Sequence, residues 1–127
     1  MSHAAALPRW QAVSVSYVDA LREATLLAWV FSALLLLLAV ISTLAARGTL
    51  RRNHGMGIRL PALFASDAAW QAGHAAAVTP AWVGFAFALA SDLAGIIEPV
   101  ARWATIAVFV ATVIWALTAA IRAAHRA

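Results

Sequence analysis

The chain has no cysteine, no lysine and one tyrosine, and only 11% of its 127 residues are charged. Without cysteine there is no disulfide framework, no thiolate metal site and no thiol nucleophile. Without lysine, the formal net charge of +4 is set by arginine against five acids. Soluble globular domains average about 25% charged residues. The shortfall, with 65% hydrophobic residues, excludes an ordinary soluble domain and points to the membrane class. No P-loop, nucleophile elbow, zinc-protease motif or dinucleotide fingerprint occurs. No internal repeat is visible. The length allows one domain, with no room for a conventional active-site domain. An enzyme is therefore not expected, and neither is a cofactor.

The arginines flank apolar runs, so they read as topology determinants. The expected partner is the lipid bilayer, not nucleic acid. Residues 24–46 are 23 positions without a charge, centred on Leu34-Leu35-Leu36-Leu37-Leu38. At about 1.5 Å per residue they exceed the roughly 30 Å hydrocarbon layer. Arg22 and Glu23 close one end, and Arg47, Arg51 and Arg52 the other. Residues 75–97 form a second apolar run, interrupted by Pro80 and Asp92, and 103–121 a third. Residues 98–102 are a tight connection, and 122–127 a short basic tail. Residues 1–22 read as an interfacial amphipathic helix, with Trp10, Val13, Tyr17 and Leu21 on one face and Pro8 in its first turn. The alternation over Val13–Tyr17 offers a strand instead, but it has no partner strand. A secretory signal is not expected, because the n-region is not basic and the apolar run is too long.

The fold class is thus an all-α membrane protein with three transmembrane helices, an N-terminal interfacial segment and one inner-face motif loop over 47–74. Arg9, Arg22 and Arg102 fall on one side of the membrane. Arg47, Arg51, Arg52, Arg59, Arg122 and Arg126 fall on the other. The bias places the N-terminus outside and the C-terminus inside a bacterial inner membrane. Small residues let membrane helices approach closely. Ala77, Gly84, Ala88, Ser91 and Gly95 make such a face on the second span. Ala104, Ala107 and Ala111 do so on the third, and Ser32 and Ala39 on the first.

The loop holds the densest chemistry. Gly57 and Pro61 predict a fixed, non-helical turn around Arg59. Arg59 either pairs with Asp67 or helix-end carbonyls, or contacts a lipid phosphate or a partner carboxylate. Ser66 is a helix N-cap, with Asp67 in the first turn. Asp67, Trp70, Gln71 and His74 then share one helical face. Asp67 and His74 lie about 10 Å apart along that face, so a proton relay between them needs Arg59 or water. Asp92 is the one acid inside a span. It reaches the outer interface, or pairs with Arg102 across the turn, or carries protons or ions. His54, His74 and His125 lack metal-ligand spacing, and no metal is expected.

Asn53, Gly57, Ile58, Arg59, Pro61, Ser66, Trp70 and His74 together resemble the signature stretch of the SdpI-like family of small bacterial membrane proteins. Leu60 and Leu63 depart from it where threonines are expected. The resemblance implies an integral membrane protein whose motif residues, with Asp67, order a binding site. It also implies toxin immunity, by binding a toxin or antimicrobial peptide at the membrane. Two alternatives stand beside it. One is an accessory subunit that binds another membrane protein through its small-residue faces. The other is a proton- or ion-coupled transport component using Asp92, which would require a homo-oligomer.

Overall fold

The computed structural model describes residues 8–127. Three long helices dominate it: α1 (Arg9–Ala46), α3 (Asp67–Ile97) and α4 (Arg102–Ala124). A one-turn helix, α2 (Pro61–Phe64), interrupts the loop, and a 3₁₀ turn at Pro99–Ala101 leads into α4. Each long helix is apolar and long enough to cross a membrane. Among the described residues there is no strand. The protein is an all-α, multi-pass membrane protein.

Helix α1 runs unbroken for 38 residues, about 57 Å at the α-helical rise. The expected N-terminal segment is therefore no separate element; its residues 1–7 lie outside the described ones. Val13–Tyr17 is helical despite its alternation, since an isolated strand leaves its backbone groups unpaired while a helix pairs them internally. Pro8 is the N-cap rather than a residue of the first turn. Trp10, Val13 and Tyr17 are exposed, with no other helix covering them. Burial begins at Ala24 and continues through Ala28, Ser32, Leu35, Ala39, Ser42 and Ala45. Those steps of three and four residues mark one face. Gly48, at φ +74°, ends the helix by letting the Leu50 N–H reach back to the Leu44 carbonyl at 3.1 Å.

Helix α3 lies between the other two and packs on both. It passes Pro80 without a break; membrane helices tolerate proline where neighbouring groups satisfy the freed carbonyl. Its buried face carries Ala77, Ala81, Gly84, Ala88, Asp92 and Gly95. At Gly84 a Cβ would occupy the space of the Thr112 side chain, so glycine sets how closely α3 and α4 approach. Phe31 and Phe109 pack across α1 and α4 with ring centroids 4.6 Å apart and planes tilted by 30°.

Two expectations are corrected here. Ala104, Ala107 and Ala111 do not form the packing face of α4: Ala104, Ala107 and Ala111 are all exposed. The buried stripe is Thr105, Thr112, Ala116, Ala120 and Ala124. Alanine is neutral towards lipid, whereas the Thr105 hydroxyl finds a carboxylate partner inside the bundle at Asp92, which turns that face inward. Asp92 neither reaches the interface nor pairs with Arg102. It is fully buried. Ser32 of α1 donates to its Oδ2 at 2.5 Å, and Thr105 of α4 donates to its Oδ1 at 2.7 Å. One carboxyl group thus ties all three long helices together. The Arg102 stem instead lies over Gly95, in the space a Cβ there would need.

Candidate functional site: the loop and the head of α3

The loop between α1 and α3 is folded by its own polar side chains. Asn53 Oδ1 accepts from the Gly55 N–H at 2.9 Å and the Met56 N–H at 2.7 Å, an Asx turn that bends the chain. Gly57 follows at φ +99°, a conformation that L-residues with side chains rarely adopt. A Cβ at Gly57 would come within 2.8 Å of His74 Nε2 and of the Trp70 ring. Glycine is thus required both by the backbone angle and by the close approach of the loop to α3.

That approach brings Ile58 onto His74. The Ile58 N–H donates to His74 Nε2 at 3.0 Å, and His74 Nδ1 lies 2.8 Å from the Trp70 carbonyl. A carbonyl can only accept, so Nδ1 carries the proton and Nε2 is the bare acceptor. This pair of main-chain partners specifies the neutral ring in one tautomer. His74 is fully buried, and Trp70 is 2% exposed. Their ring centroids are 4.1 Å apart. Trp70 Nε1 donates to the Leu50 carbonyl at 3.0 Å. Gln71 Nε2 donates to the Ala46 carbonyl at 2.8 Å, satisfying one of the orphan acceptors at the end of α1.

The start of α3 follows from its cap. Ser66 Oγ accepts the Ala69 N–H at 2.9 Å, which is worth about 1 kcal/mol for a serine N-cap. Asp67 pairs with Arg52 at 3.2 Å, not with Arg59. The Asp67 side chain is 86% exposed, so the pair contributes little beyond orientation. Arg52 also donates to the Phe64 carbonyl at 2.6 Å, holding α2 against the loop. Pro61 opens α2 at its first position. That turn places Leu63, fully buried, over Gly73, where a Cβ would come within 2.7 Å of the leucine side chain. Leu60 and Leu63 are thus packing residues. His54 stacks on Phe64 at 5.1 Å.

Arg59 is the motif residue left outside this internal network. It is exposed and donates to the Gly55 carbonyl at 2.6 Å. It lines an apolar groove between α1, the loop and α4.

The model of the SdpI/YfhL protein family matches residues 49–121, more than half of the chain. The chain belongs to the SdpI/YfhL protein family. No curated protein and no solved structure matches it. The family match takes in the loop, α2, α3 and nearly all of α4, and α1 lies outside it. In this SdpI-family chain, Asn53, Gly57, Ile58, Pro61, Ser66, Trp70 and His74 converge on one scaffold, while Arg59 points away from it. Asp67 lies at the edge of the scaffold, and Asp92 is far along α3 in the bundle. His54, His74 and His125 do not meet, and no group of three metal-ligating side chains occurs among the described residues. Arg52, Gln71 and Gly48 complete the brace. The arginine run beside the membrane disguised Arg52 as one more topology charge. Gln71, on the shared face, was visible.

Proposed function

We propose that this chain is an immunity-type membrane protein, which protects its cell by binding a toxin or antimicrobial peptide at the bilayer. It acts by binding and not by catalysis. The observation that supports this reading is the inward use of the motif. His74, Trp70 and Asn53 hold the loop in one conformation, and leave Arg51 and Met56 exposed on it. A loop held rigid by buried hydrogen bonds loses little entropy on binding, which is how preorganisation raises affinity. The loop faces the cell interior in this reading, and the peptide is met after it has entered the membrane.

Survival of sensitive cells under a secreted peptide toxin tests the proposal. Cells expressing the wild type should survive, and cells expressing His74→Ala at equal membrane levels should lose most of the protection. A wild type that gives no protection against a panel of membrane-active peptides overturns it.

A further inference from the structure

The groove beside Arg59 has a volume of about 290 Å³. Leu34, Leu37, Leu38 and Ile41 form its α1 wall, at helical spacing on one face. They cover about 10 Å along the helix axis. Leu60 and Leu117 close the other sides. Leu34 and Leu37 are exposed, and they lie in a membrane-spanning helix, so the groove opens sideways into hydrocarbon. Arg59 is the one charged residue among those lining it. Its bond to the Gly55 carbonyl uses one guanidinium N–H; a guanidinium has five. Among the described residues, Arg59 makes no ion pair.

We propose that this groove is a phospholipid site, in which one acyl chain of an anionic phospholipid lies along the leucine wall and its phosphate sits on Arg59. Three observations select this occupant. The wall offers no hydrogen-bonding side chain over its length, which suits a hydrocarbon chain. The single polar feature is a cation at the end of that wall nearest the loop, which suits a head group at the membrane boundary. A planar guanidinium matches phosphate through two parallel hydrogen bonds. Arg47, Arg51 and Arg52 flank the same loop, and their field favours an anionic over a zwitterionic head group. A free phosphate leaves the wall unexplained, and an apolar peptide without an acid leaves Arg59 without its counter-charge. The site does not depend on the toxin reading.

Native mass spectrometry of the purified full chain tests the site, after incubation with equal amounts of phosphatidylglycerol and phosphatidylcholine. The wild type should retain one phosphatidylglycerol in preference to phosphatidylcholine. Arg59→Gln should lower phosphatidylglycerol retention about tenfold, the size expected for losing a charged hydrogen bond. It should also narrow the preference over phosphatidylcholine. Leu34→Trp, which fills the groove, should lower retention of both lipids, and Leu37→Trp supplies a second block at an exposed position. Arg51→Gln, outside the groove, removes only a flanking charge and should lose far less phosphatidylglycerol than Arg59→Gln. Circular dichroism reports that each variant is folded. The proposal is overturned if Arg59→Gln and folded groove-filling variants retain lipid like the wild type. It is equally overturned if Arg51→Gln loses as much as Arg59→Gln, which marks diffuse surface charge, or if a peptide occupies the groove in place of lipid.

Discussion

At the scale of single residues, the motif is a set of short polar reaches to the main chain. His74 holds the Ile58 N–H on one ring nitrogen and the Trp70 carbonyl on the other. Replacing it with alanine leaves a buried N–H without an acceptor, at a cost of about 1–3 kcal/mol. In His74→Ala, amides of residues 51–60 should exchange faster while helix content stays the same; unchanged exchange would refute the bracing role. Gly57→Ala should give the same loop phenotype by another route, because it forces a side chain into a positive-φ position against the imidazole. Much of this was legible in the sequence. Glycine and proline around Arg59 announced a fixed turn, and Ser66 announced a cap. The partners of Asp67 and His74 were not legible. They depend on how the loop folds back over α3, and spacing along one helix carries no information about that.

At the scale of elements, two contacts set how the helices meet. Gly84 lets α4 come close enough to seat Thr112. Gly84→Leu should therefore destabilise the bundle by about 1–3 kcal/mol, the usual range for overpacking, read as earlier unfolding in a detergent titration. Asp92 provides the second contact through Ser32 and Thr105. Interhelical hydrogen bonds in membranes average about 0.6 and reach about 1.7 kcal/mol. Asp92→Ala, losing two, should cost about 1–3 kcal/mol, and Asp92→Asn should recover part of it. If Asp92→Ala unfolds like the wild type, the carboxyl group is not a tie. The apolar runs made all three spans plain. The packing face of α4 was hidden, because alanine recurs at every helical register and the threonines lie on both sides, Thr105 and Thr112 buried and Thr118 exposed. The burial of Asp92 was hidden for a related reason. Distance from the end of a run says how far a side chain must reach, and nothing about the hydroxyls that already meet it.

For the whole molecule, three spans put the loop and the C-terminus on one side. Six arginines lie on that side, at 47, 51, 52, 59, 122 and 126, against three at 9, 22 and 102. The positive-inside rule then predicts that the loop lies inside. Because the chain has no cysteine, single substitutions can be labelled without background. Val100→Cys should react with an impermeant maleimide in intact cells, and Met56→Cys only after permeabilisation; the reverse pattern would invert the orientation. Helix α1 lies outside the family match, yet it supplies the Ala46 carbonyl to Gln71 and the Ser32 hydroxyl to Asp92. The matched unit is thus completed by a helix that its own signature does not describe.

The loop brace has a consequence for how this protein can change. Trp70, Gln71, His74 and Arg52 all reach backbone carbonyls, at Leu50, Ala46, Trp70 and Phe64. A backbone carbonyl is the same whichever residue carries it. Losing one of these donors therefore cannot be repaired by exchanging the residue opposite. Second-site suppressors of His74→Ala should arise from general stabilisation elsewhere, and a paired mutational scan should find these four positions intolerant individually, with Gln71 uncoupled from Ala46, Trp70 from Leu50 and Arg52 from Phe64.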